Sequence, residues 1–201
     1  MPSLRAGLVW TTVLAAIALP LGIAAASPFL AYRDPVYIAA GFAGIVGLGL
    51  MLLQPLLVGG RLPGVSGGRG RRVHAWTGAV LMALIVLHVG GLWLTSPPDV
   101  IDALTFTSPT PFSVWGVVAM WAAFGAALLA ALRRRLPLRV WRLGHSDLVT
   151  IVVSGTVLHA VLIQGTMGLV SKVVLCGLVV AALVKVFADR RVWLLLKRRR
   201  T

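Results

Sequence analysis

Four histidines are the residues of this sequence whose type and spacing could do chemistry. They form two pairs, His74 with His88 and His145 with His159, and each pair is separated by 14 residues. In an α-helix, 14 steps of 100° return to within about 40° of the starting direction and advance about 21 Å along the axis. If each pair lies on one helix, its two imidazoles face the same side at two depths. Two such helices side by side would present two facing imidazole pairs, each able to hold a metal centre.

The residues around these histidines are mostly apolar, and the whole chain has the composition of a membrane protein. Of 201 residues, 59% are hydrophobic, the mean hydropathy is +0.95 and only five residues are acidic. Apolar residues make up about half of a typical soluble domain, whose surface also needs more charge than this chain has. The sequence therefore predicts an all-α, polytopic membrane protein that forms a single domain over residues 1–201.

Six segments are long enough to cross a bilayer, which needs about 20 apolar residues per helix. Stretches rich in Gly and Pro separate them and indicate turns. The first segment, followed by "AAAS", also resembles a cleavable secretory signal, but its apolar run is long for one, and we predict a retained helix. The predicted fold is a six-transmembrane-helix bundle with spans at 6–27, 37–58, 74–94, 113–132, 145–165 and 168–188.

The basic residues predict the orientation of these spans. All but two of the 19 Lys and Arg residues fall on one side of the six-span arrangement, the exceptions being Arg33 and Lys172. By the positive-inside rule that side is cytoplasmic, so we expect both termini inside and the 95–112 loop outside. The net charge of +14 then reflects topology and contact with anionic lipid rather than nucleic-acid binding. The expected location is a bacterial inner (plasma) membrane, crossed several times.

The third and fifth spans run in the same direction, which sets the levels of the histidines. His74 then lies opposite His145 near the cytoplasmic edge. His88 lies opposite His159 in the outer half. Two imidazoles do not complete a tetrahedral zinc site, and the single Cys176 excludes a multi-cysteine centre. Haem needs only two axial ligands because its macrocycle supplies four, so we predict two haem b groups, one for each pair.

Other residues near the histidines suit such a group. Gly78 lies four residues after His74, and Gly155 lies four residues before His159, so each could leave room for a macrocycle. Arginines beside the inner pair could meet haem propionates or a flavin phosphate, and these are Arg71, Arg72 and Arg142. For the outer pair, the nearest cations in the predicted topology are Arg33 and Lys172.

Other interpretations of these residues remain. A proton relay would normally recruit Asp or Glu within the membrane, and the spans contain only Asp147, which we expect in the first turn of the fifth helix. His74 and His145 could also be ordinary polar anchors at the interface. The tryptophans near segment ends are typical of interfacial anchors, namely Trp76, Trp93, Trp115, Trp121, Trp141 and Trp193.

Six helices with histidine pairs on the third and fifth resemble the ferric reductase-like transmembrane domain. That superfamily includes ferric reductases, NADPH oxidases and the haem-binding membrane subunit of the bacterial periplasmic methionine sulfoxide reductase. Short stretches resemble the last branch, namely "DPV" at 34–36 with Gly44, "QPLL" at 54–57, "TSPTPFSVWG" at 107–116 and "RLGHSDLVTIVVSGTVLH" at 142–159. That branch often lacks the inner histidine of the third helix, whereas His74 completes the set found in two-haem members.

The resemblance implies electron transfer from a cytoplasmic flavoprotein or quinol to a periplasmic acceptor, as the membrane subunit of a periplasmic reductase. A stand-alone ferric reductase is the alternative, and a cofactor-free transporter or assembly factor is the alternative from another class. No G-x-G-x-x-G unit follows a strand pattern, and about a dozen residues follow the last span. We therefore expect no flavin or nicotinamide domain, no catalytic residues of its own, and electrons supplied by a partner, a bound FMN or a quinone.

Overall fold

The computed structural model describes residues 2–189, and within that range it is helical and contains no β-strand. Six of its helices are long and apolar enough to cross a membrane, which confirms the predicted fold class. Trp193 and the basic tail from Arg190 to Arg200 lie outside the described residues. The helices are α1 (Pro2–Ala25), α2 (Pro35–Val58), α3 (Gly67–Thr95), α4 (Pro97–Leu104), α5 (Pro111–Ala131), α6 (Leu138–Leu162) and α7 (Leu169–Asp189).

Local sequence explains where several helices begin. The carboxylate of Asp34 accepts hydrogen bonds from the amides of Val36 and Tyr37 at 2.7 and 3.3 Å, and Pro35 occupies the first position of α2. A side-chain oxygen at this position satisfies amides that have no partner within the helix, and proline needs none there. Proline also begins α5, at Pro111. Turn chemistry thus fixes where the chain enters these helices.

Two spanning helices begin earlier than the sequence predicted. The third was expected from residue 74 and the fifth from residue 145, but α3 begins at Gly67 and α6 at Leu138. The basic stretches assigned to joints continue the helices, because arginine is a good helix former despite its charge. His74 and His145 therefore lie about two turns inside their helices. Asp147 lies in the third turn of α6, exposed, and not in the first turn as expected.

The outer connection between α3 and α5 contains a helix that the sequence analysis treated as loop. Helix α4 runs from Pro97 to Leu104 and buries Val100, while its acidic residue in the first turn is Asp99. The hydroxyl of Thr105 donates to the carbonyl of Ile101 at 2.8 Å at the end of the helix. The segment is therefore an ordered cap over the outer ends of its neighbours.

The spans pack as two antiparallel hairpins joined by α7. Helix α2 packs along α3, α5 packs along α6, and α7 lies against both α2 and α6. Helix α3 meets α5 over a short stretch only. Most of the main buried cluster comes from α2 and α7, and it also contains Ala24 from α1, Leu81 from α3, Val153 from α6 and Met167 just before α7. Cys176 belongs to this cluster as a small buried side chain. The hairpins are thus separate units whose facing sides carry the histidines.

Candidate haem site

The outer histidines, His88 on α3 and His159 on α6, face each other between the two hairpins. Their ring centroids are 6.4 Å apart and their planes meet at 83°. A ring nitrogen lies roughly 1 Å from the centroid and a metal–imidazole bond is about 2 Å, so two imidazoles across one metal ion have centroids about 6 Å apart. The outer pair therefore has the spacing of two ligands on opposite sides of one metal.

Main-chain carbonyls orient both outer imidazoles. Nδ1 of His88 lies 2.7 Å from the carbonyl oxygen of Ala40 on α2, and Nδ1 of His159 lies 2.9 Å from that of Phe112 on α5. A carbonyl only accepts, so each Nδ1 carries the proton and each Nε2 keeps a lone pair for a metal. A bond of this kind fixes the tautomer and the direction of a ligating histidine.

Two glycines make these hydrogen bonds sterically feasible. A Cβ at Gly44 would lie 3.0 Å from Nδ1 of His88, and one at Gly116 would lie 2.6 Å from Nδ1 of His159. Any side chain at Gly116 would displace the imidazole. From the sequence, Gly44 was expected to serve close helix packing, and Gly116 was noted only within a stretch that resembles the family. Their i+4 position relative to Ala40 and Phe112 is the signal that could have identified them.

The inner pair, His74 and His145, lies on the same two helices as the outer pair, 14 residues away on each. The two imidazoles are close enough to interact electrostatically. The backbones of Gln54 and Ala126 lie beside them, on α2 and α5 respectively. These two residues follow Ala40 and Phe112 by 14 positions, the same separation as the histidines. Within residues 2–189, however, neither inner Nδ1 has a hydrogen-bond partner, although both are buried.

His145 has an aromatic neighbour instead. The indole of Trp141 stacks on its imidazole with centroids 5.6 Å apart and planes 13° from parallel. The guanidinium carbon of Arg133 lies 4.8 Å from the centre of the Trp141 ring. Trp141 was expected to be an interfacial anchor, but in the structure its ring contacts an inner histidine. Its spacing from His145, one helical turn, was the available signal.

The two glycines predicted to leave room for a macrocycle differ in surroundings. A Cβ on Gly78 would meet only the side-chain oxygen of Gln54, at 3.9 Å, so the space beside it is largely open. A Cβ on Gly155 would lie 2.9 Å from the carbonyl oxygen of Trp115 and 3.0 Å from Cβ of Ala119. Gly155 thus lets α6 approach α5 closely, a packing role that the sequence analysis did not predict.

The predicted cations also differ in their contacts. Arg71 and Arg72 are exposed and Arg142 is half-buried, and none of the three has an ion pair or hydrogen bond within the described part of the chain. Lys172, only 7% exposed, donates to the carbonyl of Ile163 just beyond α6. Arg33 lies over the ring of Tyr37. The inner arginines are therefore available to an anion, whereas Lys172 and Arg33 already have contacts within the chain.

Apolar side chains lie close to the outer pair and between the two hairpins. The rings of Phe112 and His159 have centroids 5.8 Å apart. An apolar groove of about 290 Å³ lies between α3 and α5, and its lining, which includes neither outer histidine, consists of Ile85, Val86, Val89, Gly90, Trp93, Met120 and Phe124. Over residues 2–189, no three His, Cys, Asp or Glu side chains come together to hold a metal ion. Each pair offers two imidazoles, a donor set that fits a group bringing its own equatorial ligands.

The comparison with protein families agrees with this geometry. The family model described as the ferric reductase like transmembrane component matches residues 40–156, more than half of the chain. The chain belongs to the ferric reductase-like transmembrane family, which confirms the predicted superfamily. Domains of this family generally bind haem. The matched segment includes three of the histidines and ends before His159. No curated protein and no solved structure matches the chain significantly.

Proposed function

We propose that this protein carries electrons across a membrane as a b-type cytochrome with two haem groups. His88 and His159 would bind the outer haem, and His74 and His145 the inner one. The observation that supports this most strongly is the outer pair, whose centroids are 6.4 Å apart and whose Nδ1 atoms are both bonded to carbonyls. Both Nε2 atoms are then free to bind one iron.

The protein's own residues have three tasks in this function. The four imidazoles would bind the haem irons. The carbonyls of Ala40 and Phe112 orient the two outer imidazoles. The apolar spanning helices that carry the histidines would keep water away from the bound group. Bound haem would supply one-electron chemistry at iron, with a potential that depends on ligation, hydrogen bonding and burial. Two sites at two depths divide the width of the membrane into shorter steps.

The direction that we propose is inward to outward, with the protein as the membrane subunit of a periplasmic reductase in a bacterial inner membrane. The support is the charge distribution. Arg71 and Arg72 are exposed near the inner histidines, whereas α4, at the opposite end, carries Asp99 and Asp102. A basic surface favours an acidic flavoprotein or a bound FMN as the donor, and a membrane quinol is the other candidate. An acceptor protein would then dock at α4.

Haem content of purified variants tests the proposed assignment. We expect two low-spin haems per chain in the wild type. His88→Ala or His159→Ala should remove the outer haem, and His74→Ala or His145→Ala the inner one, because each leaves a single axial ligand. Leu87→Ala, next to His88 in the sequence but 61% exposed, is the matched control and should keep both haems.

The outcomes of this experiment separate the alternatives. A wild-type protein that is well folded but takes up no haem when haem is supplied would favour a cofactor-free transporter or assembly factor. A wild type with a single haem would contradict the inner site. Reduction of ferric complexes by the haem-loaded protein alone, with no acceptor protein present, would favour the stand-alone ferric reductase.

A further inference from the structure

The two histidine levels hold their imidazoles in different ways. In a helix, the side chain at position i+4 leans back over the carbonyl of residue i. At the outer level this position is Gly44 for Ala40 and Gly116 for Phe112, so each carbonyl is open to a histidine. The corresponding inner positions, four residues after Gln54 and Ala126, are Val58 and Ala130, which are not glycines. Within residues 2–189, neither inner Nδ1 has a hydrogen-bond partner, so the inner imidazoles lack the carbonyl bond that orients the outer ones.

We propose that Trp141 is a positioning residue for His145, and that Arg133 in turn holds the Trp141 ring. This inference rests on the proposed haem-binding function. Trp141 and His145 are one turn apart on α6, and side chains at this spacing meet on the helix surface. The planes of the two stacked rings are 13° from parallel, and this stack restricts rotation of the imidazole about its side-chain bonds.

Stacking of this kind is compatible with metal binding. The indole covers one face of the imidazole, whereas a metal binds the lone pair in the plane of the ring. Trp141 can therefore fix the direction of Nε2 without competing for it. At the outer level the carbonyl of Phe112 performs the same task for His159 through Nδ1.

Arg133 connects this stack to a different element of the fold. It belongs to the 3-10 turn Leu132–Arg135 between α5 and α6, and its guanidinium carbon lies 4.8 Å from the ring centre of Trp141. A cation within about 6 Å of an indole centroid is attracted to the ring. The turn, the indole and the inner imidazole thus form one row from the exposed Arg133 to the half-buried His145.

The test compares Trp141→Phe and Trp141→Leu in the full-length, haem-loaded protein. The phenyl ring keeps the stack and should behave as wild type. Leucine keeps apolar bulk but removes the ring, and should weaken inner-haem affinity by about 10-fold or more, the usual effect of losing a partner that orients a ligand. It should also alter the low-spin signal of the inner haem in electron paramagnetic resonance. The outer haem serves as the internal reference and should not change.

Two controls separate positioning from a general structural role. Trp121→Leu removes an indole that packs on Phe124, is 59% exposed and has no ring contact with a histidine, so both haems should be retained. Arg133→Gln should shift the inner signal in the same direction as Trp141→Leu but less, and Arg133→Lys should restore it. If Trp141→Leu fails to fold, losing both haems, the exposed Arg133 variants decide the question.

If Trp141→Leu folds and its inner haem is unchanged in affinity and in spectrum, the inference is overturned. If Trp141→Leu does not fold, an unchanged inner signal in Arg133→Gln overturns it. A wild type that binds no haem would instead overturn the proposed function. The two failures are therefore distinguishable.

Discussion

Hydrogen bonding between an imidazole and a helix carbonyl requires that the carbonyl be accessible from the side. The carbonyl of Phe112 already accepts the amide four residues later in its own helix, and its second lone pair accepts from His159. Gly116, at that fourth position, is what leaves the second lone pair accessible. The same holds for Ala40 and Gly44 with His88. A residue without a side chain is thus part of each outer ligand's support.

A methyl group at these glycines should disturb the outer site in a graded way. We expect Gly116→Ala to abolish most outer-haem binding, since its Cβ would lie 2.6 Å from Nδ1 of His159. Gly44→Ala should weaken binding less, because the corresponding distance to His88 is 3.0 Å. Gly41→Ala, on the same helix with nothing within 4 Å, is the control. Haem titration of each purified variant measures its affinity for the outer haem. Equal affinities in the Gly116→Ala, Gly44→Ala and Gly41→Ala variants would contradict this prediction.

Spacing along one helix was the part of the site that the sequence could reveal. The separation of 14 residues predicts that His74 and His88 share a face, since both lie on one helix. The carbonyls of Ala40 and Phe112, and the stack of Trp141 on His145, depend on how helices or side chains rotate against each other. No periodicity within one segment specifies that rotation. The approach of Gly155 to α5 is likewise a contact that spacing along one helix could not reveal.

Close contact between α5 and α6 is what makes the second hairpin a unit. Gly155 brings α6 against the backbone of α5, and Gly91 similarly brings α3 against Ala40 of α2, where a Cβ would lie 2.7 Å from that of Ala40. Small residues permit such approaches in membrane helices, where packing replaces the hydrophobic effect as the driving force. Each hairpin thus contains its own close glycine contact.

Filling one of these contacts should reduce stability. Gly155→Ala places a methyl group 2.9 Å from a carbonyl oxygen of α5, and overpacking of this kind costs about 1–3 kcal/mol in the free energy of unfolding. Gly177→Ala on α7, with nothing within 4 Å, should have no cost and should gain from the higher helix propensity of alanine. Unfolding in mixed micelles compares the two. A Gly155→Ala variant as stable as Gly177→Ala would show that α6 can move away from α5 freely.

Sequence patterns identified every spanning helix, since about 20 apolar residues in a row leave few alternatives. They misplaced the starts of α3 and α6, where glycines and arginines suggested a loop. Gly70 lies within α3, and a Cβ at this position would lie 2.9 Å from the carbonyl oxygen of Leu57. That tertiary contact explains the glycine better than turn formation does. Helix α4 was missed because eight residues are too few to show a helical period.

Charge is distributed unevenly over the whole molecule. With α3 and α6 running in parallel, the inner histidines lie at the end that carries most of the basic residues among residues 2–189, and α4 with Asp99 and Asp102 lies at the other. The orientation of this axis in the membrane is a prediction from the positive-inside rule. If it holds, a negatively charged donor meets the basic end first.

Reduction of the haems in oriented vesicles tests this axis. A reduced flavin reductase supplied at the basic end should reduce both haems, and the rate should fall at least about tenfold from low to high salt, because screening shortens the range of attraction. Arg71→Asp with Arg72→Asp should slow reduction as well. Arg33→Asp, a charge change of the same kind at the other end, is the control. Rapid reduction by a quinol that neither salt nor these arginines affect would establish the quinol route instead.

The recurrence of one hairpin geometry bears on how such a chain could have arisen. Ala40 and Phe112 are 72 residues apart, and His88 and His159 are 71 apart, so α2–α3 and α5–α6 match almost position for position. A half-length protein with a single hairpin would assemble the same four imidazoles by pairing with its own copy about an axis normal to the membrane. In these terms the chain has the internal pseudo-symmetry of a dimer, with α4 between its two halves. The symmetry is broken at the inner level, where Trp141 lies four residues before His145 but Gly70 lies four residues before His74.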